Sequence, residues 1–250
     1  MKVISVIGIT GSGKTTVCEV IIRGLRARGF SVGSVKEIHF EQFKIDSDPK
    51  ANTNRHREAG AELVTARGFY ETDVLFRTKL PIDRILSFYD HDFVILEGVT
   101  DCNAPLIIAA HSPKEVDERL TSRAVAVSGV IANSGVRQVF DLPVFNALNE
   151  PDKLVEFVKE RAFEPLPSFD PDCCSACGCS CEELAARIIR NEAERSDCRL
   201  SAQDVELSIG GKKISMVPFV QKILKNSVLS VANELDGFKG GGEVTVKFRL

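Results

Sequence analysis

The residues best suited to chemistry stand near the start of the chain. Gly8-Ile9-Thr10-Gly11-Ser12-Gly13-Lys14-Thr15 matches the spacing Gly-x4-Gly-Lys-Thr in full. Glycines at these places let the backbone curl until successive N–H groups point inward at an anion. A helix that begins at the loop adds the partial positive charge of its N-terminus. The lysine can then reach terminal phosphates, and the threonine hydroxyl can ligate Mg²⁺. A plain turn between strand and helix has no need of a lysine and a threonine there. The pattern predicts that Gly11, Ser12, Gly13, Lys14, Thr15 and Thr16 bind a nucleoside triphosphate. The magnesium shell needs a second carboxylate from the end of a neighbouring strand. Two acids bracket the apolar run Asp92 to Leu96-Glu97. Ligands collect at the carboxyl ends of strands in sheets of this kind, which selects Glu97 over Asp92. Lys14, Thr15 and Glu97 are thus the candidate catalytic set, with Thr15 and Glu97 on the magnesium. An Asn-Lys-x-Asp guanine signature is missing from the late strand, which reads Ile131-Ala132-Asn133-Ser134-Gly135. The residues alone do not choose between GTP and ATP.

A second cluster lies far from the first. Six of the eight cysteines fall between Cys173 and Cys198. Such local crowding suits metal binding better than a disulfide framework. Cys174, Cys177, Cys181 and Cys198 supply four thiolates, with Cys173 and Cys179 to spare. Four soft ligands fit either tetrahedral zinc or a [4Fe–4S] cluster. Three cysteines on one loop and one distant cysteine favour the iron–sulfur reading, since zinc ribbons use two separated Cys-x2-Cys pairs. The stretch from Cys177 to Ala185 resembles the small iron–sulfur domain of electron-transfer and corrinoid proteins. That pattern usually has one more residue between its second and third cysteines, so Cys179 is an alternative ligand. Cys18 reads as a small core residue.

The elements that must carry these groups alternate strand and helix. Val3 to Ile7 is a continuous apolar run, as a buried parallel strand requires. A helix from Lys14 to about Arg28 puts Val17, Val20, Ile21 and Leu25 on one face. Ser31 to Lys36 reads as a strand and His39 to Asn54 as a long functional loop. Arg55 to Ala66 reads as helix. Asp92 to Leu96, Leu106 to Ala110 and Ala124 to Ile131 read as strands, and Asp152 to Ala162 as a helix with Leu154, Phe157 and Val158 inward. The pattern predicts an α/β fold, a P-loop NTPase with a mostly parallel sheet flanked by helices, over residues 1–164. Residues 165–172 carry Pro165, Pro167 and Pro171 and read as a linker. The cysteine segment spans 173–200, with a helix from Glu182 to Arg195. Residues 201–250 read as a small domain: a hairpin turning at Gly210-Gly211, a helix from Pro218 to Leu235 and a last strand from Val244 to Leu250. The two C-terminal parts together predict a small α+β cysteine-rich metal-binding domain.

Composition excludes several classes. Hydrophobic residues make up 44% and charged residues 27%, which is ordinary for a globular chain. A net charge of −3 argues against nucleic-acid binding, which needs a basic surface to displace counterions. No run is long and apolar enough to span a membrane, and Val3 to Ile9 leads straight into the loop rather than to a cleavage site. A cytoplasmic location is the expectation.

Residues 1–165 resemble the molybdopterin-guanine dinucleotide biosynthesis protein B (MobB) family. The resemblance rests on the loop Gly8 to Thr16, on Val35-Lys36-Glu37-Ile38-His39, on Asp48 to Arg55 with Glu58-Ala59-Gly60-Ala61, and on Asp92 to Gly98. Asp141-Leu142-Pro143-Val144-Phe145 fits as well. Glu37 departs from it, standing where a histidine is usual, and Val99-Thr100 stands where Phe-Lys is common. The resemblance implies GTP with Mg²⁺, slow GTP hydrolysis, and assistance in attaching GMP to molybdopterin for molybdenum or tungsten cofactors. It implies molybdopterin and the guanylyltransferase of cofactor assembly as partners, and Lys36, His39 and Arg55 as contacts to an anionic second ligand. Alternatives are a nucleotide-driven chaperone of metallocofactor maturation, a P-loop small-molecule kinase, and a redox module switched by nucleotide. A homodimer through Phe219, Ile223 and Val228 stays open.

Overall fold

The computed structural model describes residues 1–40, 43, 48, 50–167, 177–198, 205, 207–209, 212–214, 216, 218–235 and 244–246. The chain divides into two compact units, Met1–Pro167 and Ser168–Leu250.

The first unit is built on β1 (Lys2–Ile7), α1 (Lys14–Ala27), β2 (Val32–Lys36), α2 (Asn52–Glu58), β3 (Leu63–Arg67), β4 (Thr72–Phe76), α3 (Ile82–Leu86), β5 (Phe93–Glu97), β6 (Leu106–Ala109), α4 (Pro113–Asp117), β7 (Ala124–Ser128), a 3₁₀ helix (Val130–Ser134), β8 (Gln138–Val139), β9 (Leu142–Pro143) and α5 (Pro151–Arg161). Five strands form one sheet in the order β2-β5-β1-β6-β7, and every pairing in it is parallel. Strands covered on both faces have no polar side to offer. Accordingly β1 is buried from Val3 to Ile7, and all of β6 and β7 is buried. The mostly parallel α/β architecture flanked by helices is the one the sequence predicts.

Helix α1 covers the sheet with Val17, Cys18, Ile21 and Leu25, at the i, i+4, i+8 spacing of one helical face. Cys18 is 5% exposed, a core residue as its surroundings in the sequence suggest. Helix α5 lies against α1 and buries Leu154, Val155 and Val158, while Phe157 is half-buried. Arg28 ties the two helices by ion pairs to Asp152 and Glu156, both 2.8 Å.

Several expectations need correction. Residues 55–66 are not one helix. The N–H groups of Ala59, Gly60 and Ala61 turn back onto the carbonyls of Arg55, Arg57 and His56, which closes α2. The chain then forms the antiparallel hairpin β3–β4, where β-branched Val64 and Thr65 suit a pleated surface. Strand β7 stops at Ser128 rather than Ile131, because Gly129 turns the chain at φ +85°. Val244–Val246 form no strand; the rest of that segment lies outside the described residues.

The second unit contains α6 (Cys181–Ile189), a 3₁₀ turn (Arg195–Asp197), the hairpin β10 (Leu207–Ile209) with β11 (Lys212–Ile214), and α7 (Pro218–Asn233). Helix α6 begins with a capping box. The Ser180 hydroxyl accepts from Glu183 N–H, and the Glu183 carboxylate accepts from Ser180 N–H. It is shorter than the expected 182–195, and Asn191 at φ +59° takes the left-handed turn that follows it. No helix among the described residues is long and apolar enough to cross a membrane.

Candidate functional site

Strand β1 delivers the loop Gly8–Gly13 to the carboxyl edge of the sheet, and α1 starts at Lys14. The loop is held in a tight seat. A Cβ at Gly8 would lie 2.1 Å from the Ala109 carbonyl oxygen, and one at Gly129 would lie 2.1 Å from the Ser12 carbonyl oxygen. Neither position has room for a side chain. Gly129→Ala combines that clash with a left-handed backbone. It should lower stability by about 3 kcal/mol in urea unfolding.

Inside the loop one oxygen gathers the donors. The Ile9 carbonyl accepts from Lys14 Nζ at 2.6 Å, from Ser12 Oγ at 2.8 Å and from Ser12 N–H at 3.3 Å. The Ile9 carbonyl is thus the shared acceptor of the loop's donors. Burial lowers the Lys14 ammonium below its ordinary value; the Glu97 carboxylate opposes this, while Lys36 and Arg119 add to it. A cation stripped of water in this way favours an incoming phosphate.

Glu97 ends β5, next to the loop. Its Oε1 accepts from Thr15 Oγ1 at 2.8 Å and from Lys36 Nζ at 2.8 Å, and Lys36 Nζ is 3.5 Å from Thr15 Oγ1. The sheet register causes this meeting. Lys36 on β2 is the direct parallel partner of Glu97 on β5, and Val6 flanks Glu97 from β1. Burial pushes the Glu97 carboxyl up, but the bonds from Lys36 and Thr15 and the nearby charges of Lys36 and Lys14 outweigh it and hold it below its ordinary value. Lys36→Met should therefore raise the Glu97 pKa, which a carbon-detected NMR titration would read. The Thr15 hydroxyl and the Glu97 carboxylate are hard oxygen donors, as Mg²⁺ prefers, and the Lys36 ammonium already places positive charge between them. The donor set fits the metal.

The other expected contacts scatter. His39 Nε2 lies 3.8 Å from the position a Cβ would take on Gly98, beside the turn that follows Glu97. Arg55 is exposed on α2, which packs on β3. Asp92 sits at the far end of β5 and is structural: it accepts from Ser31 N–H and Ser31 Oγ, both 2.8 Å. One histidine escaped the sequence reading. His111 follows β6, with Nε2 3.8 Å from where Gly11 would carry a Cβ. Its Nδ1 is 3.1 Å from Glu115 Oε2, which also accepts its N–H at 2.8 Å. The i, i+4 spacing of His111 and Glu115 was the available signal.

The cysteine segment is described only in part. Cys177, Cys179 and Cys181 are half-buried and Cys198 is buried. Among the described residues no three His, Cys, Asp or Glu side chains group as metal ligands. Cys173 and Cys174 lie outside the described residues. The described members of the expected set, Cys177, Cys181 and Cys198, thus lend no support to a [4Fe–4S] cluster or to zinc. Burial pushes the Cys18 thiol up to about 12 and the Cys102 thiol up to about 11, so both are inert.

Residues 3–133, just over half of the chain, match the family model described as molybdopterin guanine dinucleotide synthesis protein B. A Methanocaldococcus jannaschii protein, provisionally named a molybdopterin-guanine dinucleotide biosynthesis adapter protein, is 26% identical over 245 residues, 95% of this chain and 93% of its own. A Bacillus subtilis protein with the same provisional name is 26% identical over 58% of this chain and 85% of its own. The crystal structure of Bacillus subtilis MobB superposes with a TM-score of 0.53 at 20% identity, covering 65% of this chain and 99% of that one. That likeness speaks for the fold of the first unit.

Proposed function

Since the chain belongs to the MobB family, we propose that it is an adapter of molybdenum or tungsten cofactor biosynthesis that binds GTP with Mg²⁺ and hydrolyses it slowly. The observation that carries this reading is the contact between Thr15 Oγ1 and Glu97 Oε1 at 2.8 Å, beside a desolvated Lys14. A glycine turn of purely structural use would not bring a hydroxyl, a carboxylate and two ammonium groups together.

The residues divide the work. The loop N–H groups from Gly11 to Thr16 bind the phosphates, with Lys14 released from Ile9 onto the terminal ones. Thr15 and Glu97 hold Mg²⁺, which supplies neutralisation of the terminal phosphates when bound. Lys36, which pairs with Glu97, would supply a further positive charge to the same phosphates or to the anionic second ligand. His39, beside the Gly98 turn, and Arg55 on α2 are the further candidates for contacting that ligand. The reading takes molybdopterin and the guanylyltransferase of cofactor assembly as partners; relatives named for molybdopterin-guanine dinucleotide biosynthesis support it.

Calorimetric titration of the full-length protein with GTP, with and without Mg²⁺, tests the reading. Binding should strengthen with Mg²⁺, and turnover should be on the order of 10⁻³ s⁻¹ or slower. Fast phosphoryl transfer to a small molecule would replace it with the kinase reading.

A further inference from the structure

Thr15 and Glu97 fix the direction in which a bound nucleotide runs. Glu97 ends β5, which lies between β1 and β2, so the metal and the terminal phosphates belong to that side of the loop. That leaves the other half of the sheet, β6 and β7, for the nucleoside. There the 3₁₀ helix Val130–Ser134 abuts the loop: Val130 N–H donates to the Ser12 carbonyl at 3.1 Å. At about 2.0 Å per residue this helix runs about 8 Å from Val130 to Ser134.

At its far end lies a cavity of about 250 Å³, lined by Asn133, Arg137, Asn146, Asn149 and Glu150. One water needs roughly 10–15 Å³ of such space, so the cavity has room for a purine ring. Asn146 ties its two walls together. Its Nδ2 donates to the Ala132 carbonyl at 3.2 Å and to Asn133 Oδ1 at 3.1 Å. Its Oδ1 accepts from Leu148 N–H at 3.1 Å and from Asn149 N–H at 3.0 Å. The amide is buried and its bonding is used up, so Asn146 is a positioning residue.

Glu150 is the acidic group in the cavity lining. Its side chain is 18% exposed, and its two oxygens are paired with Arg137 and Lys153. The bonds from Lys153 and Arg137 hold its carboxyl below the ordinary carboxylate value, so it is an anion at neutral pH. An anionic acceptor suits guanine, whose N1–H and 2-amino group are adjacent donors. Adenine presents a bare ring nitrogen there, which a carboxylate repels.

We propose that the cavity between the Val130–Ser134 helix and the Asn146–Glu150 turn seats a guanine base, with Glu150 reading its N1–H and 2-amino edge. The inference rests on the nucleotide-binding reading above, and it supplies a base contact in a chain without the Asn-Lys-x-Asp signature. Titration of the full chain with the Mg²⁺ complexes of GTP, ITP and ATP tests both. ITP lacks only the 2-amino group. The wild type should bind GTP about tenfold tighter than ITP and about a hundredfold tighter than ATP. Glu150→Gln should weaken GTP about tenfold and leave ATP within about threefold, which collapses the GTP-to-ITP ratio. An unchanged ratio in a folded Glu150→Gln variant overturns the assignment. So does a wild type that binds ATP or ITP as tightly as GTP, a result that needs no variant and leaves the phosphate site standing. A wild type that binds none of the three removes the nucleotide reading and this one with it.

Discussion

Lys14→Ala should weaken GTP binding about a hundredfold while leaving the protein folded. The ammonium now makes one hydrogen bond, to the Ile9 carbonyl at 2.6 Å, and burial has already lowered its affinity for a proton. Moving it onto a phosphate exchanges a neutral acceptor for an anion at a half-buried site. Charge-assisted bonds contribute about 1.5–3 kcal/mol each, and about 2.7 kcal/mol is a hundredfold in Kd. The stability change should be small, because the variant removes a single neutral-acceptor bond and also relieves a desolvated charge. Calorimetry should therefore show the affinity loss, and a thermal melt without nucleotide should show a midpoint near that of the wild type. Unchanged GTP affinity would mean that the loop does not hold the phosphates.

Glu97→Gln should have the second large effect, confined to what depends on the metal. The carboxylate is the acceptor for both Thr15 and Lys36. An amide keeps the shape but loses the charge, so Mg²⁺ affinity in the nucleotide complex should fall about 10–100-fold. Binding of GTP in the presence of a chelator should stay near the wild-type level. Turnover should drop about a hundredfold with the loss of an oriented charge at the reacting phosphates. The same residue predicts a pH effect. Its folded-state value lies below its ordinary 4.5. Its contribution to stability is thus complete above that ordinary value and is lost as pH falls through the lowered one. Urea midpoints of wild type and variant should differ at neutral pH and draw together in acid. Midpoints that stay apart in acid would show that Glu97 stabilises by some means other than its charge.

Much of the site could be read in the chain before it folded. The phosphate loop is local chemistry: eight consecutive residues whose types set the curl, the lysine and the hydroxyl. Strand β5 was legible because a strand buried on both faces must be apolar throughout, and Glu97 because an acid at the end of such a strand meets the loop edge. The β3–β4 hairpin was missed because Leu63–Arg67 has no strict alternation, and a helical window over Arg55–Ala66 accommodated the same residues. The cysteine reading counted thiols along the sequence, and sequence proximity did not become a spatial group among the described residues.

The sequence by itself determined that this protein has a Gly-x4-Gly-Lys-Thr loop, a parallel sheet to carry it and a carboxylate at the neighbouring strand end. Those are consequences of local residue type and periodicity. Only the tertiary structure decided that Lys36 faces Glu97, that His111 stands beside Gly11, and that Asn146 closes a cavity against Ala132 and Asn133. Lys36 and Glu97 are 61 residues apart and meet because β2 and β5 pair in one register rather than another. Register depends on which apolar faces the whole sheet and its helices can bury together, and no short stretch of the chain contains that information.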